Sequence, residues 1–233
     1  MAIALTDIPR IMTAQGWTTA AALMQHWFSL PGKAAPPFAY RNDTIVKMKW
    51  VLAHARAREV YDQLIRDRIW SNPAAQKQIR AMLKKRGLLR GHGACFGVFQ
   101  STQSIIDENA VNYRAVNQDL FEGLDDMAAA LGNFTFHVQI GGSVERALND
   151  KFLVRIGAIG IYIRDNYDFT GRQHLGFWNS KTNRVSIMNP LTGDRVSNAD
   201  FRDWRARNNK GGDFRVYSDV TIISLSKPEI IEV

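Results

Sequence analysis

The sequence predicts an α+β fold, with a helical first half and a curved, half-barrel-like antiparallel β-sheet in the second half. Two observations carry this prediction. Apolar residues recur at three- and four-residue spacing through the first part of the chain, which indicates amphipathic helices. Later segments are rich in Val, Ile, Phe and Tyr, which favour strands. We expect a mainly helical, basic region over residues 1–130 and a β-rich region over residues 131–233, folded as one continuous unit of the 233-residue chain.

Five segments carry helical patterns. A Pro/Gly-rich stretch over residues 30–38 ends the first helix, because proline cannot occupy a helix interior. Asn72 and Pro73 restart a helix, since proline suits a first turn, and Gly87 follows the basic last turn of that helix. The predicted helices cover residues 16–29, 44–70, 73–86, 118–131 and 197–205.

The strand-like segments follow the change of period. The long apolar run over residues 152–163 contains Gly157 and Gly160, which indicate bulges or a curved sheet. A glycine-interrupted segment over residues 92–103 is compatible with a short strand or a loop. The predicted strands cover residues 134–140, 152–163, 184–188 and 214–225.

The composition excludes several classes of protein. Hydrophobic residues make up 45% of the chain and charged residues 22%, which is typical of a globular domain rather than a disordered one. The single cysteine, Cys95, excludes an internal disulfide and is more typical of a buried residue than of a nucleophile. No apolar run approaches the roughly 20 residues of a membrane helix. The N-terminus lacks the pattern of a secretion signal, so we expect synthesis in the cytoplasm without a signal peptide.

The positive charge is concentrated in one segment. Residues 41–90 contain 13 Lys and Arg but 4 Asp and Glu, whereas the net charge of the whole chain is +8. Such a segment indicates contact with an anionic partner, or it is a solvated basic helix face. The amphipathic stretch 48–70, with Trp50 and Trp70 near its ends, is compatible with docking at a membrane surface or with ordinary core packing.

The densest polar cluster follows the long apolar strand, over residues 164–174. Period-two alternation places Asp165 and Tyr167 on one face of the strand, with Asp168 at its end. Two carboxylates can hold Mg²⁺. His174 can return across a hairpin to serve as a general acid or base, and a nearby arginine can bind phosphate. The alternative is an ordinary polar turn.

The run Asp165-x-Tyr167-Asp168-x(5)-His174 resembles the D-x-Y-D-x(5)-H-R signature of the colicin M family of bacteriocins. The resemblance implies a Mg²⁺-dependent phosphodiesterase with a curved β-sheet catalytic domain, here the β-rich region. Such enzymes cleave lipid II between the undecaprenyl group and the pyrophosphate. It implies catalytic roles for Asp165, Tyr167, Asp168 and His174, with Asp165 and Asp168 as ligands of Mg²⁺, or of Ca²⁺ or Mn²⁺ in its place.

One position departs from that signature, because Leu175 stands where the family has arginine. Arg172, inside the same loop, is the first candidate to take over the binding of phosphate. Arg202 and Arg205, on the predicted helix that follows, are the other two.

Two further segments, over residues 12–24 and 198–214, resemble a bacterial family associated with type VI secretion cargo. Together the resemblances imply an antibacterial effector that acts on lipid II at the membrane surface in the periplasm of a target cell. They also imply a cognate immunity protein and a component of the secretion machinery as partners.

Two other functions remain open at the level of the sequence. The first is a nuclease-type toxin, because basic charge and an acidic cluster with a histidine also suit the phosphodiester of a nucleic acid. The second is a non-enzymatic adaptor or nucleic-acid-binding module built on residues 41–90. That segment lacks the interleaved aromatic residues of a base-stacking platform, so we expect no nucleic-acid partner.

Overall fold

The structure, a computed structural model, describes residues 3–32, 39–89, 93–97, 110–118, 123–147 and 151–233. It confirms the α+β class. The described helices are α1 (Ile8–Ala14), α2 (Thr18–Ser29), α3 (Met48–Val51), α4 (Ala55–Arg66), α5 (Pro73–Lys85), α6 (Asp126–Leu131) and α7 (Asn198–Asn208). The described strands are β1 (Tyr40–Asn42), β2 (Ala94–Phe96), β3 (Ala110–Val116), β4 (Phe134–Arg146), β5 (Phe152–Tyr167), β6 (His174–Asn179), β7 (Arg184–Ser186), β8 (Asp194–Ser197), β9 (Phe214–Tyr217) and β10 (Thr221–Glu232).

The chain forms two compact units, and each of them draws on both the helical and the β-rich regions of the sequence. The first unit comprises Met1–Val46, Asn117–Phe134 and Asp165–Tyr217. The second unit comprises Lys47–Val116, Thr135–Arg164 and Ser218–Val233.

The second unit is built on a long antiparallel pair of strands, β4 and β5. Strand β10 pairs with β5, and β2 and β3 pair with β4. The register of β5 shifts where Ile156 and Ala158 lie opposite consecutive glycines of β4, which leaves Gly157 as an extra residue. This bulge was one of the two that the sequence indicated, whereas Gly160 pairs in regular register with Gln139. A bulge bends the strand, in agreement with the predicted curved sheet.

The helices of the second unit bury their apolar faces and expose their basic side chains. Tyr61 of α4 packs on Phe136 of β4, with ring centroids 5.8 Å apart. Trp70 is buried, and its indole N–H donates to Glu229 at 3.0 Å. Trp70 is therefore a core residue rather than an anchor at a membrane surface. The exposed basic residues of α4 and α5 are Arg58, Arg66, Lys77, Arg80, Lys84 and Lys85.

The first unit contains α1, α2, α6 and α7, a parallel pair of strands and a small antiparallel sheet. Strand β1 runs parallel to β9, and the small sheet has the order β7-β6-β8. Helix α2 begins at Thr18, and the carboxylate of Asp126 accepts hydrogen bonds from the backbone N–H groups of Thr19 and Ala20. This contact joins the start of α2 to α6. The buried Trp27 of α2 forms the centre of the aromatic packing in this unit.

Two predicted elements are divided in the structure, and one predicted helix begins later than expected. The continuous helix over residues 44–70 is wrong, because His54 is extended and its Nδ1 lies 3.0 Å from the Trp50 carbonyl oxygen, between α3 and α4. The helix predicted from residue 118 starts at Asp126, since Asp125 caps it by accepting from the Ala128 N–H. The strand over residues 214–225 is interrupted at Ser218, whose hydroxyl accepts from a backbone N–H and donates to a backbone carbonyl.

In the part of the chain that the structure describes, no helix has both the length and the apolar character needed to span a bilayer.

Two glycines of the first unit provide a test of its aromatic core. Gly16 and Gly211 both have positive φ, of 81° and 92°. A Cβ at Gly16 meets nothing within 4 Å, whereas a Cβ at Gly211 overlaps the ring of Trp27. We expect Gly16→Ala to reduce the free energy of unfolding by about 1 kcal/mol through backbone strain. Gly211→Ala should cost roughly a further 1–3 kcal/mol through overpacking. Urea denaturation measures both, and equal losses would show that the ring of Trp27 yields freely.

Candidate functional site

The first unit contains a cavity of about 740 Å³. Four residues of the predicted cluster line it: Asp165, Tyr167, Asp168 and His174. Asp165 and Tyr167 belong to the end of β5, Asp168 follows that strand, and His174 begins β6. The strand and its hairpin return thus bring the predicted residues to one cavity.

The turn after β5 has a local cause in the sequence. Asp168 accepts hydrogen bonds from the backbone N–H and the hydroxyl of Thr170, at 3.0 and 2.6 Å. This side-chain turn ends the strand. Gly171 follows with φ of 72°, a left-handed conformation that glycine adopts at little cost.

Side chains of helix α7 stabilise the same turn through hydrogen bonds and ring stacking. The guanidinium of Arg202 donates to the carbonyl oxygens of Phe169 and Gly171, each at 2.7 Å, and the amide of Asn198 donates to that of Thr170. The ring of Phe169 stacks on Phe201 with centroids 3.9 Å apart. These contacts fix the turn, and with it the direction in which the chain returns to His174.

The imidazole of His174 is oriented by a backbone group. Its Nε2 lies 2.9 Å from the carbonyl oxygen of Ile187. Because a carbonyl oxygen only accepts, Nε2 carries the proton in the neutral ring and Nδ1 has a free lone pair. Nδ1 is buried and makes no hydrogen bond to any residue that the structure describes. The ring is thus arranged to accept a proton at Nδ1.

Asp165 is poised to exchange a proton near neutral pH. Burial raises the pKa of its carboxyl group to about 7, and the neighbouring charge of Asp168 acts in the same direction. A hydrogen bond from the Asn166 backbone opposes this shift. A carboxyl with such a pKa can give or take a proton at physiological pH, as a general acid or base must.

Tyr167 is held as a neutral donor. Its side chain is buried, its hydroxyl donates to the sulfur of Met24 at 3.6 Å, and its ring stacks on Phe214 at 5.1 Å. Burial, with a contribution from the charge of Asp165, raises the pKa of the phenol well above its usual value. The hydroxyl therefore stays protonated at physiological pH.

The three candidate arginines lie outside the set of residues that line the cavity. Arg172 is exposed on the turn, and Arg202 is engaged with backbone carbonyls. Arg205 forms a two-pronged ion pair with Asp213 and lies over the ring of Trp27, 5.2 Å from its centroid. Among the described residues that line the cavity there is no Lys or Arg.

Leu175 itself lines the cavity. The pairing of β6 with β8 skips it, since His174 lies opposite Ser197 and Gly176 opposite Val196. Leu175 is thus the extra residue of a second bulge. At the position where the resemblance calls for arginine, the cavity has an apolar side chain.

The cavity wall has polar and apolar parts, and the apolar part comes from distant parts of the sequence. Helices α1, α2 and α6 and strand β6 contribute to it, through Ile8, Met12, Met24, Leu131 and Trp178. Sequence analysis missed these residues as parts of a site, because an apolar position on a helix has the same pattern whether it lines a cavity or fills a core. From the sequence, only the polar cluster could be identified as part of a site.

Asp213 and Cys95 also lie in defined surroundings. The carboxylate of Asp213 accepts a hydrogen bond from the Trp27 indole N–H at 3.0 Å and pairs with Arg205. Cys95 is exposed on β2, contrary to the expectation of a buried thiol. The glycine-interrupted segment contains this strand, and its His92 lies outside the described residues.

Asp165 and Asp168 are the side chains that could hold the predicted Mg²⁺. Within the described ranges, no group of three or more His, Cys, Asp or Glu side chains is arranged to hold a metal ion. Mg²⁺ commonly takes one or two protein carboxylates and completes its shell with water and phosphate oxygens. The mutual repulsion of Asp165 and Asp168 is the electrostatic setting that a divalent cation relieves, so the pair fits such an ion.

The fold and this cavity define an α+β protein with two carboxylates and an imidazole in a cavity of mixed polar and apolar lining. The chain belongs to a family of unknown function, DUF6402, whose model matches residues 3–233. No curated protein and no solved structure matches it significantly. The family model covers both compact units and assigns no chemistry to either.

The raised pKa of Asp165 makes folding stability depend on pH. The carboxyl group has a pKa of about 7 in the folded protein and 3.8 in its unperturbed state. Its contribution to stability is therefore complete below about pH 4 and is lost as the pH rises through 7. Asp165→Asn, which mimics the neutral acid, should raise the free energy of unfolding by roughly 2–4 kcal/mol at about pH 8 and change it little at about pH 4.

Thermal and urea denaturation at the two pH values provide the measurement. Asp203→Asn, on the exposed face of α7, is the matched control and should shift stability by less than about 0.5 kcal/mol at either pH. A variant Asp165→Asn no more stable than the wild type at the higher pH would show that this carboxylate is well solvated in the folded state.

Proposed function

We propose that the protein is a metal-dependent phosphodiesterase that cleaves lipid II between the undecaprenyl group and the pyrophosphate. One observation carries this proposal: the four residues of the colicin M-like signature line a single cavity that also has apolar side chains in its wall. The carboxylates and the imidazole suit hydrolysis of a phosphate ester. The apolar part of the wall suits a substrate that carries a hydrocarbon chain.

Asp165 and Asp168 are the residues that would hold Mg²⁺. When bound, the ion would neutralise the pyrophosphate and lower the pKa of a coordinated water. A cation bound by these carboxylates would in turn favour the charged form of Asp165. Ca²⁺ and Mn²⁺ are alternative ions for the same oxygen ligands.

His174 acts as the general base and then as the general acid. Its Nδ1 takes a proton from the attacking water, while the Ile187 carbonyl keeps the Nε2 proton in place. The water oxygen forms a bond to the phosphorus next to the lipid, and the bond from that phosphorus to the undecaprenyl oxygen breaks. The imidazolium returns its proton to this oxygen. The products are undecaprenol and the pyrophosphorylated disaccharide-peptide, so atoms and protons balance.

Tyr167 and Asp168 support this arrangement. The Tyr167 hydroxyl stays protonated and acts as a hydrogen-bond donor at the cavity wall. Asp168 is fixed by two hydrogen bonds within its own turn, which reduces the number of positions that its carboxylate samples. Preorganised groups of this kind cost little rearrangement at the moment of reaction.

The missing arginine has a chemical consequence. Among the described residues, Leu175 lines the cavity and no lysine or arginine does. A bound cation would neutralise part of the charge on the pyrophosphate, and neutral hydrogen-bond donors would stabilise the rest. Of the three candidates, Arg172 alone is free of the structural contacts that occupy Arg202 and Arg205. It remains the one that can approach a pyrophosphate extending out of the cavity.

The apolar part of the wall, and the absence of lysine and arginine among the described lining residues, favour a lipid-linked substrate over a nucleic acid. A nucleic acid is bound mainly through its phosphates by basic side chains. The nuclease-type toxin is therefore the second candidate, and the non-enzymatic adaptor the third. In the proposed setting the protein is an antibacterial effector, injected by a type VI machinery into the periplasm of a target cell and countered there by an immunity protein.

The proposal predicts turnover of purified lipid II in detergent with Mg²⁺. Chelation should abolish it, because the lining residues that the structure describes include no basic side chain to replace the ion. Asp165→Asn should lose at least about 100-fold in activity, and His174→Gln roughly 10²–10⁴-fold, the usual contribution of acid–base catalysis. Chromatography of undecaprenol and the released pyrophosphate compound measures each rate.

Two controls make the result decisive. Asp203→Asn should retain wild-type activity, since this exposed carboxylate lies outside the cavity. Asp165→Asn is predicted to be more stable than the wild type near pH 8, so its loss of turnover there cannot be attributed to unfolding. Intact lipid II after incubation with folded wild-type protein and Mg²⁺ would rule the proposal out, and turnover of nucleic acid would favour the nuclease.

A further inference from the structure

Two exposed apolar side chains lie on a loop that borders the cavity. Met188 is 82% exposed and Leu191 is 92% exposed, more than any other large apolar side chain among the described residues. They are three positions apart on the connection between β7 and β8, which we call the apolar loop (residues 187–192). Ile187 and Met188 also line the cavity, so the loop is continuous with the candidate active site.

The apolar loop is held in this position by hydrogen bonds. Its Ile187 carbonyl bonds to His174, and its Thr192 carbonyl accepts from Asn179 at 3.0 Å, so both ends are tied to strand β6. Asn189 accepts from the Leu191 N–H at 2.9 Å and turns the chain between them. The two side chains are thus displayed by an ordered loop whose ends are anchored to the strand that carries the proposed base.

Basic side chains flank the loop. In the sheet β7-β6-β8, Arg184 lies opposite Asn179 and Arg195 lies opposite Phe177, which places both arginines on the same face. The opposite face carries Trp178, which is buried at the cavity. Arg184 and Arg195 are exposed and form no ion pair with any described residue. They lie on the two outer strands, roughly 10 Å apart at twice the usual strand spacing.

We propose that the apolar loop and these two arginines dock the protein on an anionic phospholipid surface. Met188 and Leu191 insert between the lipids, while Arg184 and Arg195 contact phosphate headgroups. Because Ile187 and Met188 of the loop also line the cavity, docking of this kind holds the cavity close to the membrane surface. The inference rests on the proposed function for its substrate, but it assigns the membrane contact to this face of the first unit rather than to the basic segment 41–90.

Vesicle co-sedimentation tests the docking without any turnover. The probes are vesicles of phosphatidylcholine alone and of phosphatidylcholine with an equal share of phosphatidylglycerol. We expect the wild type to prefer the anionic vesicles, and this preference to weaken at high salt. Met188→Ser with Leu191→Ser should lower the partition coefficient roughly tenfold or more, and Arg184→Gln with Arg195→Gln should lower it by a similar factor on anionic vesicles alone.

Two matched controls locate the contact. Ile222→Ser with Ile230→Ser removes two apolar side chains that are about half exposed on β10, and Lys84→Gln with Lys85→Gln removes two exposed charges of α5. Both should bind as the wild type does. The proposal is overturned if the loop variant keeps its partition coefficient, or if the α5 variant loses more than the arginine variant.

The outcomes separate this inference from the proposed function. Asp165→Asn should bind vesicles normally while losing turnover. Vesicle binding by the loop without hydrolysis of detergent-dispersed lipid II by the wild type would leave the docking standing and refute the phosphodiesterase. Hydrolysis in detergent without any vesicle binding would support the phosphodiesterase and refute the docking.

Discussion

The packing of Trp27 is the interaction on which the first unit depends. Its ring packs against Phe169, Phe201 and Trp204, with centroids 4.8, 5.5 and 6.0 Å away. Its N–H donates to Asp213. One side chain therefore joins α2 to the turn after β5 and to α7. An aromatic residue of this size buries a large apolar area and has few rotamers, so the elements around it have little freedom to shift.

The chemistry of the cavity follows from that packing. Phe169 sits in the aromatic cluster, and the neighbouring Asp168 and Asp165 are thereby held at the edge of an apolar region. The same burial that excludes water raises the pKa of Asp165 to about 7. A carboxyl group in water would remain ionised and could neither give nor share a proton at that pH. The burial of this carboxyl group and its raised pKa therefore follow from the same packing.

The arginines of this protein have two kinds of role, and the sequence does not distinguish between them. Arg202 and Arg205 support the turn and the aromatic core, through backbone carbonyls and through Asp213. Arg184 and Arg195 have no such contacts among the described residues and remain exposed. The first pair is needed to build the site, and the second is available to a partner. An arginine is equally suited to both because its guanidinium donates in a fixed plane to carbonyl, carboxylate or phosphate oxygens.

The α+β class and the polar cluster after the long strand could be predicted from the sequence, because period and strand alternation are local properties. Of the two glycines that indicated bulges or a curved sheet, Gly157 forms a bulge and Gly160 does not. The sequence could not distinguish Trp70 in the core from a membrane anchor, nor show that His54 divides a helix. Tertiary contacts alone show that the cluster borders a cavity, that Leu175 joins its wall, and that Arg202 and Arg205 are structural. These properties depend on contacts between residues that are far apart along the chain. Trp27 and Asp213, for example, are separated by 186 positions. Such contacts leave no periodic pattern in a single sequence.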